Sequence, residues 1–148
     1  MSASSSSSGA TTGELRVIHA SDRQPDVASG AMRREAAISD TLVGAQHIWL
    51  GYVELGPGLV SAVHHHGEAE SGIYIISGQA RFYTGERLDR VVGAHAGDFV
   101  WVPPQLVHVE QNVSPTEPVR MVVARSTQAN LTFNLPTPEG WTAEPANA

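Results

Sequence analysis

Three consecutive histidines and one isolated histidine are the residues of this sequence most suited to chemistry. His64, His65 and His66 lie between a Gly-Pro-Gly turn and the apolar run 73–76, and His108 follows two prolines. If the first segment is a strand, His64 and His66 point to one face and His65 to the other, because side chains alternate along an extended chain. Three imidazoles from two neighbouring strands could then bind one metal ion.

The composition restricts the chemistry further. The chain has 148 residues, no cysteine, and nine arginines without a lysine. A chain without cysteine has no disulfides, no thiolate metal sites and no cysteine nucleophile, so a tight metal site must use histidine and carboxylate. A chain without lysine has no Schiff-base chemistry and no P-loop lysine. Three imidazoles suit divalent Fe, Mn, Co, Ni, Cu or Zn and leave positions open for water and substrate.

The charge and the absence of long apolar runs exclude two classes of partner. The formal net charge is -6 and the arginines are scattered, which predicts no nucleic-acid binding. No run reaches the roughly 18 apolar residues that a membrane-spanning helix needs, and the Ser-rich start lacks the features of a signal peptide. We therefore expect a cytoplasmic protein without a membrane partner.

Short segments rich in β-branched and aromatic residues alternate with turns, which predicts an all-β sandwich or barrel. The length leaves room for one domain, predicted over 14–135, between a disordered Ser-rich tail at 1–13 and a Pro-containing tail at 136–148. The predicted strands are 15–20, 33–38, 48–55, 60–66, 72–77, 80–84, 99–102, 107–111 and 119–124.

Two ordered motifs in this chain resemble those of the cupin family. The first family motif is Gly, five residues, His-any-His, three or four residues, Glu, six residues and Gly. The second is Gly, five residues, Pro, one residue, Gly, two residues, His, three residues and Asn. The matching residues are Gly58, His64, His66, Glu70 and Gly78, then Gly97, Pro103, His108 and Asn112, with Gln105 where the second motif usually has Gly.

The resemblance implies a single antiparallel β-barrel of the jelly-roll type, with His64, His66 and His108 as ligands of a metal ion inside it. The carboxylate ligand is ambiguous, because seven residues rather than six separate Glu70 from Gly78. Counting forward from His66 selects Glu70, whereas counting back from Gly78 selects Ser71 and turns Glu70 to the other side of the strand. A one-residue bulge would reconcile both counts, and a three-histidine site completed by water is the competing arrangement.

The resemblance implies a metal-dependent enzyme acting on a small molecule, of the dioxygenase or oxidoreductase type or of the lyase or isomerase type. Glu70, if it does not bind the metal, would serve as a general base. The alternative is a noncatalytic module that binds a metal or a small ligand. A homodimer is expected by resemblance, and because the predicted strand 15–20 would otherwise leave a sheet edge exposed.

Further residues are candidates for the surroundings of the site. Arg81 and Arg125 are candidates for binding an acidic substrate, His47 is a candidate for contacting the ligands, and His65 is expected to face solvent. Small-molecule pockets are mostly apolar and aromatic with a few polar groups. The candidate lining residues are Trp49, Tyr52, Tyr74, Phe82, Trp101 and Gln111.

Overall fold

Two antiparallel β-sheets facing each other form this protein, and the all-β jelly-roll fold predicted from the sequence is confirmed. A computed structural model describes residues 13–129 and 131–147. Its helical elements are a 3-10 turn at Ala20–Asp22 and the short helix α1 at Asp40–Val43. Its strands are β1 Gln24–Asp26, β2 Arg33–Ile38, β3 Trp49–Leu55, β4 Val63–His65, β5 Ser71–Ser77, β6 Gln79–Thr84, β7 Arg90–His95, β8 Phe99–Val102, β9 His108–Asn112, β10 Val119–Arg125 and β11 Phe133–Leu135.

The first sheet has the strand order β1-β2-β3-β10-β5-β8, and the second has the order β11-β4-β9-β6-β7. Consecutive strands therefore often lie in different sheets, which packs the two inner faces against each other over one apolar core. That core includes Val53, Leu55, Ile75, Phe82 and Met121, all nearly inaccessible to solvent. No helix among residues 13–129 and 131–147 is both long and apolar enough to cross a membrane.

The strand predicted at 15–20 is wrong. Residues 13–19 have no strand structure, and Leu15 is 91% exposed and Val17 65% exposed. The edge of the first sheet is instead β1, which pairs with β2. Its sequence Gln-Pro-Asp has low strand propensity, but an edge strand tolerates a proline that cannot donate a hydrogen bond. The position of β1 beside β2, rather than the strand propensity of its side chains, therefore explains why it forms a strand.

Two further strands were not predicted, whereas the remaining predicted strands are confirmed within three residues of their bounds. The strand β7 contains Gly93, a residue type depleted in strands, but it pairs along its full length with β6. The strand β11 pairs with β4 through three residues only. Both lie at the edges of the second sheet, where pairing with one neighbour requires little intrinsic propensity.

The predicted tail at 136–148 packs on the outer face of the second sheet as far as residue 147. The indole Nε1 of Trp141 donates a hydrogen bond to the Leu88 carbonyl over 3.1 Å, and the ring contacts Tyr83. Gln111 Nε2 donates to the Glu144 carbonyl. The segment thus covers apolar side chains that would otherwise face water. Of the predicted tail at 1–13, only Gly13 lies within the described residues.

Gln105 occupies a backbone conformation that favours glycine. Its φ is +65°, in the left-handed region, and its N–H donates to the Gly67 carbonyl over 2.8 Å. The second cupin motif usually has glycine at this position, so the departure places an L side chain where its Cβ is strained. The hydrogen bond holds the loop before β9 against the loop after β4.

Gln105→Gly is expected to raise the free energy of unfolding by about 0.5–1 kcal/mol, because relief of the left-handed strain exceeds the added entropy of the unfolded chain. Urea unfolding of metal-free protein measures this change. The control is Gln79→Gly in β6, an exposed position outside the left-handed region, where glycine should lower stability. A loss of stability in both variants would contradict the assignment of strain to Gln105.

Candidate metal centre

The pairing of β4 with β9 brings His64 directly opposite His108, in an antiparallel register. Alternation then directs His66 to the same inner face as His64, while His65 lies on the outer face with its ring stacked 5.0 Å from Phe133. The ring centroids of His64 and His108 are 4.2 Å apart, and that of His66 lies 4.9 and 5.4 Å from them. We call His64, His66 and His108 the three-histidine cluster.

Each ring of the cluster is oriented by a backbone carbonyl. The Nδ1 atoms of His64, His66 and His108 lie 2.8–2.9 Å from the carbonyl oxygens of Ala62, Leu131 and Leu106, respectively. A carbonyl only accepts hydrogen bonds, so each Nδ1 is the donor and carries the proton. In a neutral imidazole this leaves the lone pair on Nε2, and such a hydrogen bond fixes the tautomer of a metal-binding histidine.

The three imidazoles have the burial and spacing of a metal site. One nitrogen from each ring lies within 4.8 Å of the others. Among the described residues, the buried Nε2 atoms of His64 and His108 have no hydrogen-bond partner. Nitrogens about 2.1 Å from a common ion are about 3–3.5 Å apart, so metal binding would draw the rings slightly together. The donor set fits a divalent transition metal.

Burial keeps His64 and His66 neutral. The loss of hydration lowers the pKa of His64 to about 3 and that of His66 to about 4, and the nearby imidazole of His108 adds to both shifts. The hydrogen bonds to Ala62 and Leu131 oppose the shifts only in part. Neutral imidazole is the form that binds metal, so neither His64 nor His66 needs to lose a proton near neutral pH.

The structure does not bring Glu70 to the cluster. Glu70 is exposed, and its Oε2 accepts a hydrogen bond from the indole of Trp101 on the outer face of the first sheet. The adjacent Ser71 is buried on the inner face, and its Oγ lacks a hydrogen-bond partner among the described residues. Counting back from Gly78 therefore gave the inward-facing residue, which carries no carboxylate.

A bulge in β5 does not bring Glu70 to the inner face. Arg120 of β10 pairs with Ser77, but the next residue, Met121, pairs with Ile75, so Ile76 is an extra residue in β5. The bulge lies at the Gly78 end of the strand, far from Glu70. At the start of β5, Ser71 faces the inner side and Glu70 therefore faces outward. The bulge lies too far along the strand to change the direction of the Glu70 side chain.

The carboxylate near the cluster is Glu110, which was not predicted. It follows His108 by two residues on the inner face of β9, with Oε1 3.7 Å from His108 Nε2. Burial raises the pKa of Glu110, while His108 and Arg34 oppose the rise. The sequence signal that could have predicted Glu110 is its spacing of two residues from His108 within a strand. The same spacing predicted that His64 and His66 share a face.

Two arginines also lie on the inner face of the first sheet. Arg125, a candidate from the sequence, has a fully buried side chain, and Arg34, which was not predicted, is 4% exposed. Burial lowers the pKa of Arg34, and it lowers that of Arg125 to about 10. Arg81 lies instead on the other side of the second sheet, 3.4 Å from Glu144.

The other candidate residues divide between the two faces. Trp49 and Phe82 belong to the buried core between the sheets. Tyr74 and Trp101 are exposed on the outer face of the first sheet, and His47 is exposed in a loop. Gln111 accepts a hydrogen bond from the Tyr83 hydroxyl on the outer face of the second sheet. Their residue types alone did not indicate on which face they lie.

A family profile described as the Cupin domain matches residues 51–125, half of the chain, and spans both histidine motifs. The chain belongs to the cupin family. No curated protein matches this sequence. Many solved structures have a similar fold, and at identities under 25% this likeness shows the fold alone.

Three of these solved structures illustrate the likeness. A Klebsiella pneumoniae conserved protein with a double-stranded β-helix domain has a TM-score of 0.64 and 21% identity, over 84% of this chain and 100% of its own. The polyketide cyclase RemF from Streptomyces resistomycificus has a TM-score of 0.69 and 20% identity, over 85% and 89%. The Lactobacillus farciminis oxalate decarboxylase formate complex has 0.67 and 24%, over 79% of this cupin but 35% of the decarboxylase chain.

The neutral histidines predict how the stability of the metal-free cupin depends on pH. The folded-state pKa values of His64 and His66 lie below that of an exposed histidine, so the unfolded chain binds more protons as the pH falls. Their contribution is complete above about pH 6.5 and decreases toward pH 4, by up to about 1.4 kcal/mol per pH unit for each residue.

Urea unfolding with a chelator present, between about pH 7 and pH 5, measures this slope. The double variant His64→Asn, His66→Asn should have a smaller slope than the natural protein. The exposed His47→Asn serves as the control and should keep the original slope. Equal slopes in all three proteins would show that the buried imidazoles titrate normally.

Proposed function

We propose that this cupin is a metal-dependent enzyme whose small-molecule substrate binds to a divalent transition-metal ion held by His64, His66 and His108. The observation that carries the proposal is the convergence of three buried imidazoles whose Nδ1 atoms all face carbonyls. A histidine buried only for packing has no need to direct its remaining lone pair toward two others. Three protein ligands leave room for substrate oxygens on the ion.

A bound metal of this kind polarises substrate oxygen atoms and stabilises the negative charge that develops on them. Glu110 is the carboxylate that we assign to proton transfer in place of Glu70. Its Oε2 is buried and has no hydrogen-bond partner among residues 13–129 and 131–147. Its proximity to His108 lets it hold a proton beside a substrate on the ion. Because Glu110 and the three-histidine cluster are buried, bulk water has limited access to them.

The reaction belongs, on this proposal, to the dioxygenase or oxidoreductase type or to the lyase or isomerase type. Among the similar solved structures, the decarboxylase and the cyclase support the second type. The three-histidine ligand set is compatible with either, since Fe, Mn, Co, Ni, Cu and Zn all accept imidazole. A comparison of turnover with and without dioxygen separates the two types.

Metal content is the first test of the ligand set. His64→Ala, His66→Ala and His108→Ala should each lower metal affinity by more than about 100-fold, since loss of even a residue that only orients a ligand costs about 10- to 100-fold. His65→Ala and Glu70→Ala are the matched controls and should retain the metal, because both side chains lie away from the cluster. Elemental analysis and competition with a chelator measure the affinities.

Retention of the metal in the three inner variants, or its loss in His65→Ala, would overturn the site. A screen of small oxygen-containing compounds with protein loaded separately with each metal then tests catalysis. Turnover that disappears in His108→Ala supports the enzyme. Tight, metal-dependent binding without turnover of any bound compound would favour the noncatalytic module.

We also propose that the cupin forms a homodimer through the outer face of the first sheet. An apolar patch there consists of Tyr74, Ile76, Phe99, Trp101 and Val122, with Phe99 82% and Trp101 64% exposed. The patch crosses β10, β5 and β8 in one continuous surface. Contiguous exposed apolar side chains of this kind mark interfaces between proteins. The predicted strand at 15–20 no longer supports the dimer, since it does not form.

Phe99→Glu is expected to convert the dimer to a monomer, because it places a charge within a contact that excludes water. Light scattering coupled to size-exclusion chromatography measures the mass of each protein. The control is Val92→Glu, a similarly exposed apolar residue on β7 in the second sheet, and it should remain dimeric. A monomeric natural protein, or dissociation by both variants, would contradict the assigned interface.

A further inference from the structure

We propose that Arg34 and Arg125 form an anion-binding pair beside the metal site and that the natural ligand is a small organic carboxylate. The inference rests on the proposed function, since the carboxylate would contact both the metal ion and the arginines. It adds the chemical class of the substrate and the residues that select it.

The register of the first sheet places both arginines on the inner face. On β10, Val119, Met121, Val123 and Arg125 alternate inward with exposed or half-buried residues between them. Arg125 is followed directly by the segment that supplies the Leu131 carbonyl to His66, which places it at the histidine end of the barrel. Arg34 is the inward residue of β2 and pairs with the buried Val53 of β3.

The Arg125 guanidinium lacks the hydrogen bonds that a structural buried arginine needs, and that of Arg34 lacks them in part. Among the described residues, the Nε, Nη1 and Nη2 atoms of Arg125 have no hydrogen-bond partner, and neither does Nε of Arg34. Asp26 approaches Arg125 Nη2 only to 3.8 Å, and Arg34 donates one bond of 3.3 Å to the Val27 carbonyl. An arginine buried for stability is instead held by short, often bidentate, charge-assisted bonds.

The charges of the inner groups favour an anion. The two arginines contribute two positive charges, and Asp26 and Glu110 contribute at most two negative ones. A divalent ion held by neutral imidazoles would then leave the centre with a net charge of about +2. A carboxylate offers two acceptor oxygens for the fork of a guanidinium and a ligand atom for the ion, and it lowers the excess charge.

Trp49 holds the arginine pair in position. The Arg125 guanidinium lies over the Trp49 ring at 4.1 Å, and that of Arg34 lies 6.0 Å from the same ring. The indole can lie flat on the sheet because the neighbouring residue is Gly51, where a Cβ would come within 2.1 Å of the ring. Stacking fixes the plane of a guanidinium but leaves its N–H groups available to a ligand.

The experiment measures ligand binding to Co(II)-loaded protein through the absorption spectrum of the bound cobalt, with acetate and malonate as anionic probes. Acetamide and malonamide are neutral controls of similar shape. The natural protein should bind the anions at least about 10-fold more tightly than the amides, and Arg34→Gln or Arg125→Gln should weaken anion binding by about 10- to 100-fold. Binding of the amides should change little.

Each variant has a matched control on the same strand. Arg33→Gln neighbours Arg34 but alters an exposed side chain, and Arg120→Gln alters an exposed side chain of β10. Both should keep the anion preference of the natural protein. Cobalt content is measured in every sample, so loss of the metal site is recognised separately. If the loaded natural protein binds anions and amides equally, or if the exposed variants lose as much affinity as the buried ones, the inference fails while the metal site stands.

Discussion

The register that sets His64 of β4 opposite His108 of β9 determines the geometry of the whole centre. Because directly opposed residues in an antiparallel pair share a face, one register supplies two imidazoles, and alternation along β4 supplies the third. A shift of one residue would turn His65 inward and direct His64 and His66 to the outer face. The same phase in β9 turns Glu110 inward two residues after His108. The three-histidine cluster and the nearby carboxylate therefore depend on a single strand pairing.

The interior of the barrel has an apolar part and a polar part, and the buried polar groups lower the free energy of unfolding. At the far end, Leu55 and Val119 pack beside Asn112, whose Nδ2 donates to the Leu55 carbonyl. At the other end, buried imidazoles and guanidinium groups lie in surroundings where an unsatisfied polar group costs about 1–3 kcal/mol. The carbonyl bonds satisfy one side of each imidazole only. A site that binds its ligand through the remaining atoms must leave them unsatisfied in the free protein.

The sequence sufficed for the fold and for the three imidazoles, because strand alternation and motif spacing are local properties. It did not suffice for the carboxylate. Whether Glu70 or Ser71 faces inward depends on the phase of β5, and only the position of that strand in the folded sheet shows this phase. Arg34 was missed because its strand contains two adjacent arginines, and nothing in their types indicates which one faces inward. Edge strands such as β1 were not predicted for a similar reason, since their pairing depends on a neighbouring strand rather than on their own residues.

The two sheets differ in how the chain covers their outer faces, and this difference bears on assembly. On the second sheet, the segment at 136–147 lies over β6 and β9, so the outward-facing Val109 and Gln111 are buried as well as the inner residues of β9. On the first sheet, the described part of the chain leaves the aromatic surface of β5 and β8 accessible. Water-exposed aromatic area of this extent is unfavourable, and burying it against a second copy releases about 25 cal/mol for each Å² removed from water. The barrel that positions the three-histidine cluster is therefore supported by its own C-terminal segment on one side and, on the proposed assembly, by a partner molecule on the other.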